Sequence, residues 1–390
     1  MNNKIKTKKK PLPFPVYFWT VIILAFGGIA DSFYLAVSHY RVYNDIAYKS
    51  FCAITRAINC DTVSQSPYAI LWDVPVPVWG IFGYAVFLGI TLIAGGKAAG
   101  KKRVWPSLFI LSLGFCLYSI ILAIISAYYI HSYCMMCIVS YGISFLLCYF
   151  PWIIFKRFGK QKMIVGIKED GLFWWENRKK TFALLCSFLM VMLILIFGYP
   201  KYWHFNPLQI SLDLPMGITE EGYPWIGAKQ PELEIMEFTD YQCFQCKKMH
   251  FFLRRLVAEY PDKIKLIHRH FPMDDQFNPL VKDKYHVGSG AMALIAEYAT
   301  TQNKFWEMND LLFSATDDHK DINIKILTDK IGLDYRAAAV SIRNPALRYR
   351  IKHDISVGIN LGITGTPGYV INGKIYLGQI PPEIFSTVLD

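Results

Sequence analysis

Charge is scarce across the first half of this 390-residue chain. Nearly everything before residue 200 is hydrophobic, with only short charged breaks, which excludes an ordinary soluble fold for that half. Over the whole chain 53% of residues are apolar and the mean hydropathy is +0.26. The second half reads as a soluble domain, but it lacks a basic face interleaved with aromatics. The net charge of +11 therefore does not describe a nucleic-acid binder. Also missing is any domain that holds two C-x-x-C units. The two C-x-x-C units lie in different domains, one of them in an apolar run, which argues against a shared zinc site.

What is present begins with five apolar stretches, and a bilayer core needs roughly 20 apolar residues per spanning helix. They are Val16–Val42, Pro75–Ala94, Trp105–Tyr129, Met135–Phe155 and Thr181–Tyr199, with His131-Ser132-Tyr133 as the polar turn that separates the third from the fourth. Basic residues gather at Lys4–Lys10, Lys97–Arg103, Lys156–Lys162 and Arg178–Lys180. The turn between the third and fourth spans has no Lys or Arg, and the segment between the first two is mixed. Basic loops stay on the cytoplasmic side. This pattern puts the N-terminus inside and, after five spans, the C-terminal domain outside. The N-terminal lysines and Gly28-Ile29-Ala30 also fit a signal peptide. The apolar run continues through Phe33, Leu35 and Val37, so a retained helix is expected, and the topology downstream is the same either way.

Topology sorts the nine cysteines. Cys52 and Cys60 fall in the first outer segment, Cys134 and Cys137 at the outer end of the fourth span, and Cys243 and Cys246 in the outer domain. Disulfides persist on that face. Cys116, Cys148 and Cys186 sit inside apolar spans and read as small buried hydrophobes. A static structural disulfide is the competing reading for any pair, but C-x-x-C closes too small a loop to be a good staple. At a helix N-terminus its first sulfur faces unpaired amides and the positive end of the dipole, which favours the thiolate. The second sulfur, one turn along, resolves a mixed disulfide.

From about Pro224 the pattern changes. Leu233–Phe238 alternates as a strand, leads into Thr239-Asp240-Tyr241-Gln242-Cys243-Phe244-Gln245-Cys246, and a helical pattern follows through Phe251, Leu253 and Leu256. Strand, C-x-x-C, helix is the thioredoxin arrangement. A second strand is expected over Lys263–Phe271, then a mostly helical insert from about Pro279 to Asn344 that includes Ala291–Tyr298 and Phe305–Phe313. Gly365-Thr366-Pro367-Gly368 precedes Tyr369–Ile371, an Asn372-Gly373 turn and Ile375–Leu377. A thioredoxin fold needs a cis-proline at such a place. With Glu237 to Cys243, Arg269-His270-Phe271-Pro272 and Lys304-Phe305-Trp306 added, the segment from Pro224 to Asp390 resembles DsbA-like thioredoxin domains.

That resemblance implies Cys243 as exposed nucleophile, Cys246 as resolving thiol, Pro367 as cis-proline and Thr366 as its substrate-facing neighbour. It makes Glu237 the buried acid that handles the proton of the resolving thiol, although a Glu near a strand end reads by itself as a surface charge. Phe244 stands where that family often has Pro, and Gly368 where Thr or Ser is usual. The dipeptide between the cysteines tunes thiol pKa and potential, so both departures bear on oxidising strength.

The first four spans carry a second set of marks. These are Cys52 and Cys60, Ser66-Pro67-Tyr68, Pro75-Val76-Pro77-Val78-Trp79-Gly80, Gly83-Tyr84, and Cys134-Met135-Met136-Cys137 with Tyr141. In that order over residues 16–155 they resemble the vitamin K epoxide reductase family in its bacterial form, fused to a thioredoxin-type domain. The resemblance implies a quinone, ubiquinone or menaquinone, as electron acceptor, and no metal. Cys137, one turn deeper than Cys134, becomes the donor to quinone, and Cys52 with Cys60 a shuttle on a flexible segment. Tyr141 is placed to hydrogen-bond the quinone, Ser66 to line its site, and Trp79 and Phe82 to wall it. Each has a plainer reading, as belt tyrosine, helix cap or packing.

The expected architecture is a membrane α-helical bundle, with a four-helix vitamin K epoxide reductase-like core and a fifth span, joined to an α/β thioredoxin-like domain with a helical insertion. Its parts are a cytoplasmic basic tail (1–15), the four-span domain (16–155), a cytoplasmic linker (156–180), the fifth span (181–199), a linker (200–223) and the thioredoxin domain (224–390). The expected activity is a thiol:quinone oxidoreductase of a bacterial cytoplasmic membrane. Electrons pass from secreted or periplasmic protein thiols through Cys243/Cys246, Cys52/Cys60 and Cys134/Cys137 to the quinone pool. The alternatives are a disulfide isomerase or reductase for particular clients, and a thiol-based metal-binding or carrier protein.

Overall fold

The apolar stretches become helices because a continuous apolar run of about 20 residues satisfies its own backbone in lipid only as a helix. The computed structural model describes residues 12–390 apart from 56, 101, 160, 205–213, 316–322 and 390. The Lys4–Lys10 cluster and part of the 200–223 segment lie outside the described residues. Two compact units result, one of Met1–Asn44 with Tyr48–Lys201, the other of Asp45–Ala47 with Tyr202–Asp390.

In the first unit α1 (Phe14–Asn44) is followed by a short α2 (Cys60–Ser64) and a two-residue hairpin, β1 (Ile70–Leu71) and β2 (Val74–Pro75). Then come α3 (Val76–Gly95), α4 (Trp105–Ile125), α5 (Met135–Ile154), α6 (Met163–Glu176) and α7 (Arg178–Gly198). Pro77 and Pro106 fall in the first turns of α3 and α4, where a missing N–H costs nothing. Among the described residues, α1, α3, α4, α5 and α7 are long and apolar enough to cross a membrane. Each lies within a few residues of its sequence-based span. α1 packs on α3 and α5, and α4 on α5, around Val21, Ala25, Phe87, Trp105, Leu108 and Leu147. Gly80 permits the close crossing of α3 on α1, since a Cβ there would stand 2.5 Å from Ser32 Oγ. Large apolar side chains such as Ile23, Phe26, Ile121 and Leu193 face outwards, as a lipid-facing surface requires.

Helix α6 occupies a stretch that the sequence pattern offered only as linker. Its buried Asp170 accepts hydrogen bonds from Val104 N (2.6 Å), Ser107 N (2.9 Å) and Ser107 Oγ (2.8 Å). It thereby satisfies free amides at the start of α4 and holds Val104 at φ 77°, a costly conformation for a β-branched residue.

The second unit is built on a six-stranded sheet in the order β3-β4-β6-β5-β7-β8. The strands are β3 (Met216–Ile218), β4 (Pro224–Gly227), β5 (Leu233–Thr239), β6 (Ile264–His270), β7 (Gly368–Ile371) and β8 (Lys374–Leu377). β5 and β6 run parallel through the crossover helix α8 (Phe244–Glu259), and every other pairing is antiparallel. Between β6 and β7 lie α9 (Ser289–Thr301), α10 (Phe305–Ala315), α11 (Ile324–Ile331), α12 (Tyr335–Ser341) and α13 (Pro345–Asn360), and α14 (Pro382–Leu389) closes the chain. This is the thioredoxin-like α/β fold with its helical insertion. Strands β3 and β4 were not read from the sequence, and β3 lies inside the 200–223 stretch. Glu237 on β5 stands opposite Tyr369 on β7 and His268 on β6, which sets up a polar row across one face of the sheet.

Candidate active sites

In the helical unit the local chain brings four sulfurs together. Asn59 caps α2, its side-chain oxygen accepting from Asp61 N (2.9 Å) and Thr62 N (3.1 Å). Asp61 in turn accepts from Ser50 N at 3.1 Å, which ties the Cys52 flank to the helix that Cys60 begins. Cys52 and Cys60 form a disulfide with a Cα–Cα distance of 5.6 Å. The loop is also stitched to the segment before α5, with Tyr133 N donating to Ala57 O (2.8 Å) and Asn59 N to Tyr133 O (3.0 Å). Cys52, Cys60 and Cys134 are all buried in one cluster, packed with Leu35, Val63, Met136 and Cys137. Cys134 caps α5, its sulfur accepting from Cys137 N at 3.2 Å. Cys137, one turn in, is half-buried. The sequence suggested a flexible loop with Cys52 open to attack. Here Cys52 is 0% exposed, because the loop is seated on the membrane pair.

The residues expected around a quinone divide. Tyr141 is half-buried one turn below Cys137, within electrostatic reach of Cys134, Cys137 and Tyr118 of α4. Ser66 donates its hydroxyl to Val63 O at 2.8 Å. Trp79 donates to Leu71 O (2.9 Å) and meets Phe82 at 6.3 Å, while Phe82 stacks on Phe188 of α7 at 5.0 Å. No described contact joins Trp79 or Phe82 to the membrane thiols. Sequence reasoning missed Asp31 of α1, buried within electrostatic reach of Cys134 and Cys137, which accepts the hydroxyl of Ser140. The signal was available, since a carboxylate inside an apolar span is rare and usually functional. Of the three cysteines read as buried hydrophobes, Cys116 is buried and donates to Ser144 O at 3.3 Å. Cys148 is half-buried. Cys186 is exposed, because no residue of its helix α7 is buried.

In the soluble unit Cys243 caps α8, its sulfur accepting from Cys246 N at 3.4 Å. It donates to Thr366 O (3.5 Å), and the Thr366–Pro367 peptide is cis. A hydrogen bond from the Cys246 thiol holds the Cys243 thiol below its usual pKa, helped by the charge of nearby His286. Cys246 is fully buried, and burial pushes its thiol well up. Glu237 is no surface charge. It is 0% exposed, and burial raises its carboxyl to about 7. Its oxygen lies 2.9 Å from His268 Nδ1. Gly368 has a packing reason, because a Cβ there would stand 2.8 Å from two carbons of Ile363. His286, which contacts Asp240 at 3.1 Å, had no sequence signal because the helical insertion delivers it.

Each unit thus presents a dithiol at a helix N-terminus, with the first sulfur accepting an amide and the second one turn inside. Fold and sites together define a thiol oxidoreductase built on a membrane bundle and a thioredoxin-like domain. The chain carries a vitamin K epoxide reductase family domain, matched over residues 19–152, followed by a thioredoxin domain, matched over residues 219–390.

Solved structures similar to the second unit include a thioredoxin-like oxidoreductase from Silicibacter pomeroyi, 21% identical over 43% of this chain and 90% of that one, TM-score 0.35. Another is alpha-DsbA1 of Wolbachia pipientis, 20% identical over 44% of this chain and 92% of that one, TM-score 0.36. Curated relatives include the Na(+)/H(+) antiporter NhaA 3 of Salinispora tropica, 24% identical over 42% of this chain and 24% of its own length. NhaA of Herminiimonas arsenicoxydans is 23% identical over 55% of this chain and 33% of its own length. The chain therefore spans a quarter to a third of the antiporters it matches.

Proposed function

We propose that this chain forms disulfides in proteins outside a bacterial cytoplasmic membrane and passes the electrons to a membrane quinone. A client thiolate attacks Cys243 of the oxidised Cys243–Cys246 pair, and a second client thiolate releases the client disulfide. The reduced pair then gives its two electrons to Cys52–Cys60, and Cys60 gives them to Cys134–Cys137. Cys137 delivers them to quinone, which takes up two protons to become quinol. Each transfer between cysteine pairs exchanges one S–S bond for another, the quinone step re-forms the Cys134–Cys137 bond as quinol is made, and rising potential sets the direction.

One observation carries this reading. The Cys52–Cys60 disulfide is buried in the same cluster as Cys134, with Cys137 packed against it. A structural staple has no need to sit on two free thiols. An exchange partner has to. The N-terminus is taken as inside from the basic breaks between spans. The isomerase reading loses one motive, since Gly368 answers to Ile363. Antiport is not carried over from relatives that this chain covers only in small part.

The test is quinone absorbance with the purified full chain and a reduced client protein, repeated with each of the six cysteines changed to alanine. Cys134→Ala and Cys137→Ala should abolish quinone reduction by any reductant. Cys52→Ala and Cys60→Ala should abolish it with the client but spare it with dithiothreitol. Unchanged quinone absorbance with fully reduced protein would turn the reading towards a non-redox carrier.

A further inference from the structure

Beneath the soluble pair, buried polar side chains run from the interior to the surface. Glu237 Oε1 lies 2.9 Å from His268 Nδ1, and His268 Nε2 lies 3.3 Å from His270 Nδ1. His270 Nε2 lies 3.7 Å from Glu297 Oε2, and Glu297 Oε1 lies 2.6 Å from Arg350 Nε. Glu237, His268, His270 and Glu297 are each at most 4% exposed, whereas the Arg350 side chain is 44% exposed. At the inner end the fully buried Tyr369 lies within electrostatic reach of Glu237, Cys246 and Cys243 together.

We propose that Glu237, His268, His270 and Glu297 form a proton path between Cys246 and solvent at Arg350. This rests on the thiol-exchange reading of Cys243 and Cys246 and extends it past the buried acid. When a client thiolate attacks Cys243, the Cys243–Cys246 bond breaks and Cys246 leaves with the electron pair as a thiolate. Buried as it is, that thiolate needs a proton. Glu237 supplies one, the histidines pass its replacement inward, and Glu297 takes it from solvent. Closure of a mixed disulfide by Cys246 runs the path in reverse. The proton leaves through Glu237, the new Cys243–Cys246 bond forms and the partner thiolate departs.

The chemistry of each member suits this. A neutral imidazole donates at one nitrogen and accepts at the other, so it passes a proton without holding a charge. Burial keeps both rings neutral, His268 down to about 3 and His270 well below its usual value. Burial raises both carboxyls to about 7, where they gain and lose protons near neutrality. The 3.7 Å gap is too long for a hydrogen bond, and a small rotation of Glu297 closes it. Other ionisable groups face the path. His250 and Arg254 of α8 and Asp310 of α10 act on Glu237, and Asp354 of α13 acts on Glu297. His250 and Arg254 are themselves paired with Asp310, at 2.8 Å and 2.9 Å. Tyr241 and Phe305 flank both rings and keep bulk water away.

The experiment uses the full chain in detergent with the other seven cysteines changed to alanine, so that only the soluble pair reacts. Reduced protein is mixed rapidly with oxidised glutathione. Capture at Cys243 scales with glutathione disulfide, and closure by Cys246 is the first-order limit at high concentration. His270→Gln and Glu297→Gln should slow closure at pH 7 by at least about tenfold, flatten its pH profile and leave capture unchanged. In Glu297→Ala, added formate should restore closure, which a packing role does not explain. Closure unchanged in all three variants overturns the path, as does an equal fall in capture and closure or a failure of formate to rescue. Absence of capture in the parent protein would instead sink the thiol-exchange reading.

Discussion

The backbone amide of Asn59 donates to the carbonyl of Tyr133 at 3.0 Å, and this link seats the loop disulfide on the membrane pair. The same residue caps α2 through its side chain, so one asparagine fixes both the helix that begins at Cys60 and its docking. A buried disulfide can serve a thioredoxin-like partner only if the loop leaves its seat. In the proposed relay, docking strength would therefore govern how often Cys52 meets a soluble thiol.

Asn59→Ala keeps the backbone link and removes the cap, at a cost of about 1 kcal/mol. If that cost falls on the docked state alone, the open fraction rises roughly fivefold. Reduction of Cys52–Cys60 by a water-soluble phosphine should then be faster by about that factor in the variant. An unchanged rate would mean that the cap does not hold the loop.

Asp170 makes the corresponding prediction at the other end of the bundle. Asp170→Ala leaves the buried amide of Val104 and that of Ser107 without their acceptor, and orphaned buried donors cost about 1–3 kcal/mol each. The bundle's thermal midpoint should fall by several degrees. Asp170→Asn, which keeps one acceptor oxygen, should fall less. The alkylation rate of Cys243 should be the same in both variants, since the defect lies in the other unit.

Gly368→Ser restores the residue usual in DsbA-like domains and places a side chain against Ile363. Overpacking of this kind costs about 1–3 kcal/mol. The variant should unfold at lower denaturant, and Ile363→Val should recover part of the loss. If stability is unchanged while the potential of Cys243–Cys246 moves, the glycine is a redox determinant and not a packing one.

Much of this was legible from periodicity and spacing. The spans are long and continuous, so their helices could be placed, and each C-x-x-C follows a break that marks a helix start. Helix α6 was not legible because its pattern is mixed and its role is to bring one carboxylate, Asp170, to another helix. Strands β3 and β4 are too short to show alternation. Glu237 could be named from its place before Cys243, but its burial depends on Tyr369 and His268 from two neighbouring strands. His268 and His270 alternate on one strand and so share a face, yet nothing local says that Glu297 arrives from the insertion to meet them.

Glu237 yields the sharpest dependence on pH. Burial raises its carboxyl from about 4.5 to about 7, so the folded state holds a proton that the unfolded chain has released. Stability from this group is complete below about pH 4.5 and is lost as pH climbs through about 7. The difference amounts to about 3 kcal/mol, because each tenfold gain in proton affinity is worth about 1.4 kcal/mol. Glu237→Gln removes that loss, and its amide can still pair with His268 Nδ1 through either its oxygen or its nitrogen. Urea unfolding of the soluble unit within the full chain, followed by tryptophan fluorescence, should give similar midpoints for both proteins at pH 4.5. At pH 8 the variant should be the more stable. It should also be the poorer at closing a mixed disulfide, because a glutamine cannot take the Cys246 proton. Parallel midpoints across this range would mean that Glu237 is ionised in the fold, and an ionised carboxylate has no proton to give.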